Sequence, residues 1–212
     1  MSSNSSIAII IPAAGASKRF GSPKQLIEWN STTLIGHTIA KAQAMQQSQI
    51  YVVLGANFEV IKQEIQKEIQ KEIQGKDVAI LNNRDWQDGL GTSIATGVKH
   101  ILKTKANYDA ILVLLADQPL VSVEYLKEFI YQFEPKTRQI IATKYGANKF
   151  GVPALFDQKY FEELSKLTHD KGAKDLIKNN LDHVNVPKTT AILTDIDTQE
   201  DYKNIVKSTH QS

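Results

Sequence analysis

The residues best suited to chemistry in this 212-residue chain fall into four short stretches. After an apolar run at residues 7–11 and Pro12 comes Ala13-Ala14-Gly15-Ala16-Ser17, followed by Lys18, Arg19 and Lys24. Gly15 has no Cβ and its neighbours carry almost no side chain, so this backbone can approach a ligand closely. Three cations beside exposed N–H groups suit a polyphosphate. A second glycine-rich segment, residues 82–97, places Gly89 and Gly91 around Leu90 and then Thr92 and Ser93 at the first turn of a helix, where N–H groups and hydroxyls converge. Asp117, in Asp117-Gln118-Pro119, directly follows the most apolar run of the chain, residues 108–116. A carboxylate there is the hard oxygen ligand that Mg²⁺ requires. Finally, Asp195-Ile196-Asp197 leads into the last helix. Asp197 reads either as an acid complementing the helix dipole or as a second metal oxygen.

Spacing excludes three familiar glycine motifs. A P-loop needs four residues between its first Gly and Gly-Lys-Ser/Thr, whereas five separate Gly15 from Gly21, which Ser22-Pro23 follows. A dinucleotide fingerprint needs a third glycine. A nucleophile elbow on Ser17 fails because Arg19 stands where its closing Gly belongs. An ordinary strand-to-helix turn with solvated charges stays open for the first loop, and a glycine turn with an N-cap for the second.

The elements that must position these residues alternate. Residues 7–11 read as a buried strand, 33–45 as a helix capped by Thr32 or Thr33, 50–54 as a strand ended by Gly55, and Asn57 as the cap of the next helix. Ile61, Ile65, Ile69 and Ile73 form one drifting apolar band in that helix, because a four-residue step overshoots a full turn by about 40°. Strands follow at 77–81 and 108–116, the latter apolar enough to be buried on both faces. Asp117 therefore lies at the carboxyl end of a central strand, where such sheets bind ligands. A helix starts at Ser122 or Val123. Beyond it come a strand at 139–143, a loop at 145–153, an extended segment at 152–156, an amphipathic stretch at 157–167, strands at 183–186 and 191–193, and a final helix to about residue 206.

The length suits one domain, and a net charge of +2 is too small to argue for nucleic acid or an anionic membrane. No cysteine is present, which removes disulfides, thiolate zinc sites and a cysteine nucleophile and points to a cytoplasmic setting. Residues 1–6 lack the basic start of a signal peptide, and residues 7–11 are too short to span a bilayer.

Taken in order, Ala13-Ala14-Gly15-x-Ser17-x-Arg19-Phe20-Gly21-x-x-Lys24-Gln25-Leu26, Gly89-x-Gly91-x-Ser93, Leu115-Ala116-Asp117-Gln118-Pro119, Gly151-x-Pro153, Asp170-Lys171-Gly172-Ala173 and Asp195-Ile196-Asp197-Thr198 resemble the molybdenum cofactor nucleotidyltransferases. Within them the chain is most similar to the cytidylyltransferase branch. The resemblance implies an α/β fold, a three-layer αβα Rossmann-like nucleotidyltransferase architecture with a mostly parallel, mixed central sheet. Its single domain, 1–212, would divide into a nucleotide-binding half, 1–120, and an acceptor-binding half, 121–212. It implies that Ala13, Ala14, Gly15, Gly55, Gly89, Gly91, Thr92 and Ser93 surround the nucleotide and that Arg19 and Lys24 contact the triphosphate. It also implies that Asp117 and Asp197 hold Mg²⁺, and that Gly151, Pro153, Asp170 and Lys171 face the acceptor.

The implied substrates are CTP and a molybdopterin-type cofactor, with transient contact to molybdoenzyme maturation proteins and no nucleic acid or membrane partner. Guanylyltransferase relatives have a second Gly where Ala14 stands, so its methyl is expected to narrow the base end, and Asn-x-Asn where Asp195-Ile196-Asp197 stands. Departures are Pro12 in place of Leu, Lys174 in place of Arg, and the isoleucine repeat. The chemistry agrees independently: a phosphate monoester has its second pKa near 6, so the acceptor is already dianionic and no general base is required. Of the five histidines only His169 lies near a motif. A sugar-nucleotide or guanylyl transferase would share the loop and Asp117 but use another substrate, whereas a nucleotide-binding regulator would need neither Asp117 nor Asp197.

Overall fold

The computed structural model describes residues 5–45, 49–72, 78–169 and 172–209. In chain order its elements are β1 (Ile7–Pro12), a small hairpin of β2 (Glu28–Trp29) and β3 (Thr32–Thr33), α1 (Leu34–Ala44), β4 (Ile50–Leu54), α2 (Phe58–Glu72) and β5 (Val78–Asn82). There follow α3 (Leu90–Thr104), β6 (Ala110–Val113), α4 (Val123–Tyr131), β7 (Ile140–Gly146), β8 (Lys149–Asp157), α5 (Phe161–Leu164), α6 (Ala173–Lys178), β9 (Val184–Asn185) and α7 (Gln199–Thr209). Seven strands form one sheet in the order β5-β4-β1-β6-β8-β7-β9. Only β8 runs against the others, pairing antiparallel with both β6 and β7.

β1 shows why three layers form. Strand side chains alternate between faces, so Ile7, Ile9 and Ile11 enter one core with Ile35 and Ile39 of α1, Ile61 and Ile65 of α2 and Phe129 of α4. Ala8 and Ile10 enter the other with Ile94 and Val98 of α3, Leu164 of α5 and Ile177 of α6. Each fully buried isoleucine contributes about 1.5–3 kcal/mol, so the expected isoleucine stripe of α2 is a structural face. Ile61 and Ile65 are fully buried and Ile69 partly so, while Ile73 lies outside the described residues. The caps fall as expected: Thr33 Oγ1 accepts the Gly36 N–H and Ser122 Oγ that of Tyr125, each at 3.1 Å.

Long-range pairing redraws the second half of the chain. The expected loop at 145–153 is mostly strand, the end of β7 and the start of β8 around a turn at residues 147–148, and register shifts around Thr143 and Gly146 absorb the glycines. The stretch 157–167 holds only a 3-10 turn and the one-turn α5, although Tyr160, Phe161 and Leu164 are buried as the pattern required. Residues 191–193 form no strand, though Ala191 and Leu193 still pack against the first core. β6 stops at Val113, short of the expected residue 116. Among the described residues no helix is long and apolar enough to cross a membrane.

A third, smaller cluster of Phe20, Trp29, Leu34, Ile196 and Ile205 ties the first glycine loop, the β2–β3 hairpin, α1 and α7 together. At Gly55, just past β4, an added Cβ would lie 2.4 Å from Trp86 Cβ and 2.9 Å from Ala14 Cβ. We expect Gly55→Ala to cost about 1–3 kcal/mol by overpacking. Its thermal midpoint should fall by about 2–4 °C per kcal/mol at this size. An unchanged midpoint in a thermal melt would show that the two loops do not need this close approach.

Candidate active site

Because β5, β4, β1 and β6 are parallel neighbours, the loops after them emerge along one edge of the sheet. This is the edge where open α/β sheets place their ligands. Between the loops lies a cleft of about 620 Å³ whose lining includes residues 12–19, Lys24, Trp86, Gly89, Ser93, Asp117 and Asp197. Leu114 N–H still bonds the Ile10 carbonyl, and the chain then bends to bring Asp117 beside the first loop.

The first loop is held from beneath by Gln25, which is 3% exposed. Its amide donates to the carbonyls of Ala13 and Gly15, each at 2.9 Å. Ser17, at φ +52°, accepts the Lys24 N–H through its hydroxyl at 3.2 Å. A Cβ at Gly15 would meet nothing within 4 Å, so the loop is open there. Ala14 lines the cleft as expected. It is only 5% exposed, and its methyl lies close to Gly55.

The Lys24 ammonium joins three of the four stretches. It donates to Asp117 Oδ2 at 2.7 Å, to Asp197 Oδ1 at 3.0 Å and to the Ile196 carbonyl at 2.9 Å. Arg19, mostly exposed, pairs with the other oxygen of Asp197 at 2.9 Å. Burial alone would lower the Lys24 pKa, but the charge of Asp117 and the bonds to both carboxylates outweigh it and raise it. For Asp197 burial favours the neutral acid, yet the Lys24 hydrogen bond and the charges of Lys24 and Arg19 hold its carboxyl below the ordinary value. Asp195 goes the other way, raised mainly by burial despite a bond from the Gln118 amide at 2.8 Å.

The two readings of Asp197 separate here. Asp201 caps the start of α7, accepting the N–H groups of Asp197 and Thr198 and the Thr198 hydroxyl, so the Asp197 carboxylate is turned to the cleft cations instead. Asp117 Oδ1 is buried without a hydrogen-bond partner. Buried polar atoms are nearly always satisfied, and an orphaned carboxylate oxygen at a cleft suits a hard cation. Among the described residues no three His, Cys, Asp or Glu side chains form a metal cage. Two carboxylates fit Mg²⁺, which is held by one or two of them plus phosphates and water.

The second loop is organised by Asn83, a residue that pattern reading passed over. Its amide donates to Thr92 Oγ1 at 2.9 Å and Ser93 Oγ at 3.0 Å, and its oxygen accepts the Asp85 N–H. Gly89, at φ +99°, and Ser93 line the cleft. Thr92 instead spends its hydroxyl on the carbonyls of Asp85 and Gly89. Gly91 faces away, since a Cβ there would lie 2.7 Å from the Thr168 carbonyl, and Gly55 is likewise a packing glycine. Gly151 and Pro153 sit on β8, outside the cleft lining, but β8 reaches the site indirectly. The Tyr145 hydroxyl donates to the Val152 carbonyl and accepts from Gln118 at 2.8 Å. Asp170 and Lys171 lie outside the described residues. Lys41, another residue missed, carried a signal: it is a cation on the apolar side of α1, between Ile39 and Ala42.

A parallel-sheet edge carrying a glycine loop, a cation pair and two convergent carboxylates defines an α/β domain of the nucleotidyltransferase class. The chain belongs to the family described as the MobA-like NTP transferase domain, whose model matches residues 9–185. It is 32% identical over 122 residues to the purine catabolism protein PucB of Bacillus subtilis, covering 56% of this chain and 57% of that protein. It is 29% identical over 133 residues to the bifunctional protein GlmU of Stutzerimonas stutzeri, covering 62% of this chain and about a quarter (26%) of that relative's length. The crystal structure of Rv0371c from Mycobacterium tuberculosis H37Rv superposes with a TM-score of 0.76 at 26% identity, covering 95% of this chain and 98% of that one. A manganese complex of Rv0371c superposes at 0.72.

The depressed Asp197 pKa has a signed consequence. The stability it contributes is fully present above the unfolded value near 3.8 and is lost as pH falls through the lower folded value. The urea midpoint of the parent should therefore exceed that of Asp197→Asn at pH 6, and the gap should shrink as pH falls below 3.8. A gap independent of pH would mean that the carboxylate charge is not what Lys24 and Arg19 hold.

Proposed function

We propose that the chain is a Mg²⁺-dependent cytidylyltransferase that moves CMP from CTP to the phosphate of a molybdopterin-type cofactor and releases pyrophosphate. The observation that carries the reading is the meeting of Lys24, Asp117 and Asp197 beside the open glycine loop, with Asp117 Oδ1 left without a partner. A phosphate oxygen of the acceptor attacks the α-phosphorus and the bond from that phosphorus to the bridging oxygen of the β-phosphate breaks in line. Such a reaction needs alignment and charge neutralisation more than proton transfer. Among the described residues no histidine lines the cleft, consistent with an acceptor that is already dianionic.

A divalent cation supplies charge neutralisation at the phosphates, and Asp117 and Asp197 would hold it; the manganese complex of Rv0371c supports a divalent ion in this fold. Lys24 holds both carboxylates beside the glycine loop, so its ammonium would neutralise triphosphate charge there. Arg19, the more exposed of the two, would bind the same phosphates. The preference for CTP rests on the likeness of Asp117-Gln118-Pro119 and Asp195-Ile196-Asp197 to the cytidylyl branch. Ala14 contributes little to it.

Asp117→Ala should lower kcat by orders of magnitude with the fold retained, as loss of a metal ligand does. Pyrophosphate release with CTP, Mg²⁺ and molybdopterin measures it, and near-normal turnover would remove the metal assignment. With the same acceptor, kcat/KM for CTP should exceed that for GTP by about 10- to 200-fold, the range open to pocket shape. Ala14→Gly should change that ratio little. Equal values, or a GTP preference, would place the chain in another branch of the nucleotidyltransferases.

A further inference from the structure

Helix α1 passes behind the segment that carries Asp117, and three of its side chains grip that segment by its backbone. The Lys41 ammonium donates to the carbonyls of Gln118 at 3.1 Å, Pro119 at 3.2 Å and Val121 at 3.1 Å. Thr38 Oγ1 donates to the Leu34 carbonyl of its own helix at 3.1 Å and also lies 3.5 Å from the Ala116 carbonyl, and His37 Nε2 lies 3.3 Å from that of Pro119. On the far side the Asp117 carbonyl accepts the Ile196 N–H at 2.9 Å.

We propose that Lys41, assisted by Thr38 and His37, is a positioning residue that fixes the turn at residues 116–121 and thereby sets the Asp117 carboxylate for a divalent cation. The proposal rests on the nucleotidyltransferase reading given above. Lys41 is 8% exposed, and its ammonium is bonded to three carbonyls. Burying an ammonium without a counter-charge is costly, and burial accordingly pulls its pKa down to about 8. An aliphatic side chain would pack this helix face at lower cost. What an ammonium adds is three donors at one point, matching three carbonyls that converge where the chain turns from sheet to helix. Asp117 is thus fixed through its neighbours on both sides, while its own side chain has one oxygen on Lys24 and one unpartnered.

Charge and positioning predict opposite results, which makes the proposal testable. Removing a cation near the site by charge alone would tighten metal binding, whereas losing the grip on the turn would weaken it. The assay is Mn²⁺ binding followed by electron paramagnetic resonance with CTP present and no acceptor, together with steady-state kinetics. Lys41→Met, folded by circular dichroism, should bind Mn²⁺ about 10- to 100-fold more weakly, the usual effect of removing a group that orients a metal ligand. Its kcat should fall while KM for CTP stays within about twofold. In Lys41→Ala, added propylamine should restore Mn²⁺ affinity, because it replaces the missing ammonium. Folded Lys41→Met with unchanged or tighter Mn²⁺ binding overturns the proposal.

If that variant does not fold, Thr38→Val and His37→Phe decide. Each should weaken Mn²⁺ binding by about two- to fivefold, in proportion to one hydrogen bond, and both at the parent affinity overturn the proposal as well. A parent protein that binds no Mn²⁺ even with CTP is a different failure: it removes the metal assignment of Asp117, and the positioning proposal falls with it.

Discussion

Two carboxylates facing one cleft repel each other, and in this protein a single ammonium holds them together. Lys24 reaches Asp117 and Asp197, 93 and 173 residues away in sequence, and adds the carbonyl of Ile196 between them. Half-buried charges persist only when paired and hydrogen-bonded, so the loop after β1, the segment after β6 and the run before α7 must meet wherever Lys24 stands. The meeting is anchored on its apolar side by Ile196, which is fully buried in the small third cluster and presents Asp195 and Asp197 on either flank. The ion triad and that cluster therefore depend on each other.

The loops of the cleft are fastened to the sheet from behind. Gln25 holds two carbonyls of the first loop, Asn83 two hydroxyls of the second, and Lys41 three carbonyls beyond Asp117. All three are buried polar side chains; the partners of Gln25 and Lys41 lie outside regular secondary structure, and those of Asn83 lie at the first turn of α3. This is how irregular backbone is kept satisfied inside a protein. It also keeps the ligand-facing surface small and open at Gly15, where the backbone is exposed to whatever enters. Precision at a site built on loops comes from such supports rather than from the loops themselves.

Packing glycines are the counterpart of those supports. Gly55 lets Trp86 and Ala14 approach one another, and Gly91 lets the first turn of α3 lie against the backbone of Thr168 and His169, to which its own N–H is bonded at 2.9 Å. Both look like ligand-facing glycines in the sequence. A glycine permits close approach by any group, and nothing local distinguishes an approaching phosphate from an approaching chain.

What the sequence by itself determined was whatever is set by near neighbours. Alternation along β1, the isoleucine stripe of α2, the Thr33 and Ser122 caps and the placing of Asp117 beyond a central strand all follow from side-chain period, local hydrogen bonding and burial of apolar runs. They set the alternation of strands and helices through the first half of the chain, while the three-layer architecture was what the family resemblance implied. The tertiary structure decided the β7–β8 hairpin, because cross-strand pairing overrode its glycines, and the shortening of β6, because the chain must bend to deliver Asp117 to Lys24. It also decided which cation serves which carboxylate, which glycines face the cleft, and why a lysine stands in the core of α1. Those outcomes depend on partners far away in the chain, many of them backbone carbonyls, and a carbonyl is the same atom at every position, so it leaves no mark in the sequence.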